Sequence, residues 1–145
     1  MTGPRNRPWH LWIIGPLALI WSGLGATDYL LVTLRQPSYL NLFSPDQVAF
    51  FTGLSLQAKA LWAAAVWASV AGALGLLMRE SWAPLALALA FFFGLGQTTW
   101  LVVLSDPGLL DVAGAVSAQV LIVGLAVMLL LWLYARSLRK RGVLG

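Results

Sequence analysis

An aspartate beside a tyrosine, Asp28-Tyr29, interrupts the apolar run from Trp12 to Leu34 and is the pair in this 145-residue chain best placed to do chemistry. Few other groups could act with it. Gln57 and Lys59 open the next apolar run, Gln97, Thr98 and Thr99 close the third, and Ser117 and Gln119 come early in the fourth. If the runs are antiparallel helices, all of these side chains gather at one level. By helical rise Asp28 lies roughly 9 Å from the end of its run, away from the middle. Such a set suits an Asp28–Lys59 ion pair, each partner reducing the cost of the other's burial. It equally suits a polar cluster that binds a small polar solute or headgroup. Proton or ion coupling through Asp28 would need access from both sides, and the other half of each run is apolar.

Catalysis needs a positioned nucleophile, base or metal. The chain has no cysteine and a single histidine, His10, set between Trp9 and Leu11 at the edge of the first run. No two carboxylates share a helix face, and Asp106-Pro107-Gly108 reads as a turn. The expectation is therefore no enzyme, no metal and no cofactor.

The elements that must hold the Asp28 cluster follow from composition. The chain is 60% hydrophobic and 10% charged, with mean hydropathy +0.83, whereas a soluble domain carries about a quarter charged residues. About 20 apolar residues cross a bilayer as a helix, and four runs are long enough: 12–34, 57–78, 83–104 and 114–134. The fold class is an all-α membrane protein with one membrane domain over 1–145. The first run is too long for a secretory signal and lacks a small-x-small cleavage site before a soluble region, so it reads as a retained helix. Pro16 removes a backbone hydrogen bond in it and predicts a kink. Between runs one and two, "SPDQVAFF" has Ser44 as N-cap, Pro45 at the first helical position and Gln47 three residues after the cap. That predicts a short interfacial helix over 45–52, either an anchor sealing the outer face or a lid over a cavity.

Ala60, Ala64, Ala68 and Gly72 form a small-residue stripe at spacing four on the second helix, the pattern that lets helices approach closely in lipid. Gly114 and Ala118 repeat the spacing on the fourth. Trp9, Trp12, Trp82 and Trp132 fit an inner aromatic belt and Trp62 and Trp100 an outer one, with Trp21 and Trp67 deeper and packed between helices.

The sequence pI is about 10.1, but the charges are distributed as topology signals. Arg5, Arg7, Arg79, Arg136, Arg139, Lys140 and Arg141 fall on one side of the runs, and only Arg35 and Lys59 on the other. The positive-inside rule then makes both termini cytoplasmic. No basic face on a folded domain suggests nucleic acid; the expected partners are the lipid bilayer and another membrane protein or a second copy.

"GLGATDYLLVT" from Gly23 aligns with "GLGQTTWLVVL" from Gly94 at an offset of 71, and "PLAL" occurs at both Pro16 and Pro84. The expectation is two parallel helical hairpins related by an axis along the membrane normal, with Asp28 matched to Thr99 and Tyr29 to Trp100.

The frame "RPWHLWIIGPLALIWSGLGATDYLLVTLRQPSYL", with "LWLYARSLRKRGVL" near the end, resembles a family of short four-helix proteins of proteobacterial inner membranes, some of them labelled "sugar transporter". The resemblance spans nearly the whole chain. It implies four spans and an inner-membrane location, and it implies no site residues. Two function classes follow. The first is an accessory or scaffold subunit that docks on a larger complex or self-associates through its small-residue stripe and the aromatic run Phe91, Phe92 and Phe93. The alternative is an oligomeric small-solute transporter or solute-binding protein that uses the Asp28 cluster.

Overall fold

A computed structural model describes residues 7–145, so Arg5 lies outside the described part. The described elements are helical, and four are long and apolar enough to cross a membrane. The first, α1 (Leu11–Thr33), contains Pro16. It ends where Arg35 takes a left-handed conformation (φ 52°) and Gln36 N–H reaches back to the Leu31 carbonyl at 3.0 Å. One helical turn, α2 (Pro37–Leu40), follows, with proline at its start fixing φ. Then comes α3 (Pro45–Thr52), whose capping box forms as the sequence predicts. Gln47 N–H donates to Ser44 Oγ at 3.3 Å and Ser44 N–H to Gln47 Oε1 at 3.2 Å.

Ser55 caps α4 (Leu56–Met78) by accepting from Ala58 N–H at 3.2 Å, and Arg79, left-handed at φ 64°, ends it. The third span is α5 (Ala83–Thr99) with its last five residues, Trp100–Leu104, wound as a π turn. The widened turn shows in Ser105 N–H, which bonds the Trp100 carbonyl five residues back at 2.9 Å. The fourth span, α6 (Leu109–Lys140), outruns its expected bounds at both ends. At its start Asp111 accepts from Gly108 N–H at 3.0 Å, and Gly114 (φ 73°, ψ −179°) sets the first turn apart from the long helix beyond it. That backbone region is open essentially to glycine alone. At its end the helix continues past Tyr134 because Ala135 and Leu138 are buried, while Arg139 and Lys140 complement the carbonyl end of the helix dipole.

The four long helices stand in a row, α1 on α4, α4 on α5 and α5 on α6. The row closes at the end carrying the described N-terminal residues and the C-terminal tail, where His10 Nδ1 and the Tyr134 hydroxyl share a 2.6 Å hydrogen bond from α1 to α6. A core of Leu11, Ala18, Leu76, Leu87, Leu131 and Leu138 fills that end, and Val143 and Leu144 are buried in it. The Arg79 guanidinium donates to the Val143 carbonyl at 3.1 and 3.2 Å, and Gly145 N–H donates to the Arg79 carbonyl at 3.0 Å. Midway along, Ser22 and Ser69 are buried and joined by a 2.7 Å hydrogen bond between α1 and α4.

Several sequence expectations need correction. Within this chain the buried side of α4 runs through Ala58, Trp62, Ala65, Ser69, Gly72 and Leu76 rather than along the small-residue stripe, whose expected neighbour is a helix of this chain or of another. Ala60 is exposed, Ala64 and Ala68 are half-buried, and of the stripe only Gly72 is buried. The cause is helical period: a strict spacing of four drifts about 40° per step, so the stripe winds off the contact line, whereas alternating steps of three and four stay on it. Gly114 is a backbone break with open space around it, not a packing residue. Trp62, expected in a belt, is 8% exposed and packs its ring against Tyr29 at 5.2 Å. Trp67, expected between helices, is 46% exposed. Trp9, Trp12 and Trp82 are exposed at the closed end, Trp132 stacks on Phe91 at 6.1 Å, and Trp100 is half-buried in the π turn.

Candidate functional site

Toward the opposite end α1 and α6, the outer members of the row, do not pack along their length, and a cavity of about 470 Å³ lies inside the bundle. The helix α3 touches both α1 and α6 and so bridges them as a roof, presenting Gln47 and Phe51 to the space beneath. The floor lies near Trp21, whose ring approaches Gly124 of α6. Below it the apolar core fills the bundle. The walls are mostly apolar, with Asp28 from α1, Gln97 and Thr98 from α5 and Ser117 from α6 as polar exceptions.

Four of the nine residues expected in the cluster therefore meet around one space, and five do not. Tyr29 turns away to pack on Trp62. Gln57, Thr99 and Gln119 are exposed, with the Thr99 hydroxyl donating to the Leu95 carbonyl of its own helix at 2.9 Å. Gln119 follows Ser117 by two residues, which swings it about 200° around the helix, away from the cavity.

The expected Asp28–Lys59 pair is replaced by two other contacts. Lys59 Nζ donates to the Thr52 carbonyl at 3.2 Å. That carbonyl closes α3, where helix ends leave acceptors unpaired and the dipole favours a cation. Asp28 instead accepts from the hydroxyl of Tyr39, which α2 folds back over the end of α1. Burial, followed by the hydrogen bond to Asp28 and its charge, pushes the Tyr39 phenol up to about 12, so it remains a donor at any physiological pH. Phe43 packs edge-on against Tyr39 at 5.3 Å and also lines the cavity. Sequence reasoning missed Tyr39 and Phe43 because they sit in a connection rather than a span. The available signal was Pro37, which starts a helical turn two residues before Tyr39.

Aromatic rings form much of the rest: Trp21 from α1, Phe51 from α3 and Trp62 from α4, the last two 6.4 Å apart. Ser117 uses its hydroxyl on the Ala113 carbonyl at 3.2 Å, next to the Gly114 break. Among the described residues, no three His, Asp or Glu side chains come together as metal ligands. Chemically the site can hold an organic molecule by apolar contact and orient it through one carboxyl and a few neutral polar groups.

The fold and site together define a small four-helix protein compatible with multi-pass insertion in a membrane. Against known proteins, the chain matches no family profile, no curated protein and no solved structure.

Proposed function

We propose that this is a multi-pass membrane protein that binds a small molecule in the cavity beside Asp28. The supporting observation is the cavity itself, about 470 Å³, roofed by α3 and lined by residues of all four long helices. Small-molecule sites have this character: roughly 300–1,000 Å³, mostly apolar, with a few placed polar groups. Native mass spectrometry of gently extracted protein tests the reading, with Ser117→Trp introduced to fill the cavity from α6. A small molecule retained by the wild type and absent from the variant is the expected outcome. Identical spectra with no bound species in either would remove the main support.

A second reading, the accessory or scaffold subunit, draws on α6. Only 6% of its apolar window is buried within the chain, against 28–44% for the other three spans. A helix so little covered offers a long apolar face to another membrane protein or a second copy. The chain has no cysteine, so a single Cys at exposed Val123 allows clean cross-linking in native membranes. A discrete cross-linked band supports this reading, and only monomer across the α6 face argues against it.

The proposed setting is a bacterial inner membrane with both termini cytoplasmic. In its support, Arg7, Arg79, Arg136, Arg139, Lys140 and Arg141 belong to the closed end and Arg35 and Lys59 to the other. In that orientation α3 lies at the outer interface. The two-hairpin repeat is part of the proposal and rests on the sequence alignment alone.

A further inference from the structure

We infer that the cavity takes a monovalent organic cation, an amine or quaternary ammonium attached to an apolar body; this rests on the small-molecule reading above. Charge comes first. Asp28 is the sole acidic residue lining the cavity, and no Lys, Arg or His among the described residues lines it. An anion would meet a carboxyl with no counter-charge, which is costly in an apolar space. A cation turns the same carboxyl into one half of an ion pair.

The walls make the same selection independently. Trp21, Phe43, Phe51 and Trp62 reach the cavity from α1, the connection before α3, α3 and α4. Aromatic rings attract a cation that meets their faces, through their quadrupoles, and quaternary ammonium recognition is the best-known use of clustered rings. A neutral polyol would need a dense set of donors and acceptors; here Gln47, Gln97, Thr98 and Ser117 are the neutral polar side chains available, and two of them already hold local bonds. The Tyr39 hydroxyl donates to Oδ1 of Asp28, so Oδ2 is the oxygen this inference assigns to the guest. The Phe43 ring beside Tyr39 joins the aromatic wall to the carboxyl.

The ammonium could belong to a free amphipathic cation or to a lipid headgroup, and the test separates the two. Wild type, Asp28→Asn and Asp28→Glu are reconstituted in phosphatidylglycerol vesicles. Each is titrated with benzyltrimethylammonium and with neopentylbenzene, its neutral carbon isostere, following tryptophan fluorescence. Wild type and Asp28→Glu are expected to favour the cation by about tenfold or more. In Asp28→Asn the preference disappears while neopentylbenzene still binds, which also shows that the variant is folded. Equal affinity of the wild type for the two probes, or a preference that survives in Asp28→Asn, overturns the cation assignment and leaves the cavity reading standing. Failure of both probes in wild type overturns both. Repeating the wild-type titration with phosphatidylethanolamine added assigns the source: competition identifies the lipid amine, and an unchanged titration identifies a free cation.

Discussion

Gly72→Ala should destabilise the protein out of proportion to one methyl group. Gly72 sits where α4 packs against Leu87 of α5. A Cβ built there would lie 2.6 and 2.7 Å from the Leu87 side chain and 3.1 Å from its backbone nitrogen. Leu87 is fully buried, so its side chain has little room to turn aside, and the backbone contact persists wherever it goes. Overpacking of this kind costs about 1–3 kcal/mol. Leu87→Ala alone removes core volume at about 2–5 kcal/mol. The double variant should cost less than the sum of the two, by a coupling of about 1–3 kcal/mol, because the new methyl enters the space that the leucine leaves. Unfolding in mixed micelles, followed by tryptophan fluorescence and by a tag-based protease assay, supplies the four free energies of the cycle. Ala60→Leu is the control: on the predicted stripe it would be a packing residue, but it is exposed and should change stability by no more than about 0.5 kcal/mol. Additive losses for Gly72 and Leu87, or an Ala60 effect as large as that of Gly72, would refute the α4–α5 register.

Three further outcomes are expected. Replacing either Ser22 or Ser69 by alanine strands the other hydroxyl, and a double-mutant cycle should return a coupling of about 0.6 kcal/mol, the average for hydrogen bonds between membrane helices; zero coupling would mean that the two do not meet. Gly114→Ala meets no neighbouring atom, so any loss, expected at about 1–3 kcal/mol, comes from the backbone alone; unchanged stability would show a continuous helix there. Tyr39, whose folded value stands above the ordinary 10.0, contributes stability that is complete below pH 10 and fades as pH climbs through about 12. A tyrosinate titration of wild type minus Tyr39→Phe should show that late ionisation, and Asp28→Asn should bring it earlier; a difference curve centred at 10 would sink the Asp28–Tyr39 contact.

Span positions were legible because they depend on length and composition, and the first three match their expected bounds to within a residue. The α3 helix was legible for a local reason, since Ser44, Pro45 and Gln47 specify its start by hydrogen bonds within four residues. Facing was harder. In water, apolar residues mark the buried side of a helix, but the α4 sequence is apolar all round and leaves only size and period as guides. Within the chain the small stripe lies off the contact line of α4, and Trp62, at a depth that suits a belt, is buried by its neighbours Tyr29 and Val66. At the site, helical rise sets the level of a side chain but not its direction: Asp28, Gln97, Thr98 and Ser117 converge, whereas Lys59 reaches back to α3 and Gln119 points out. The partner of Asp28 lies on a one-turn helix after a left-handed residue, a reversal with no periodic signature.

If the guest enters between α1 and α6, which do not pack along their length, it comes in from the side. In a bilayer, a guest of the proposed kind would arrive through the lipid rather than down from the aqueous phase. Occupancy would then follow the guest's mole fraction in one leaflet, a two-dimensional concentration. An apparent dissociation constant expressed per litre would rise as more lipid is added at fixed protein, while the same constant expressed per lipid would stay fixed. Two laboratories using different vesicle loads would report different affinities for one site, and both would be right.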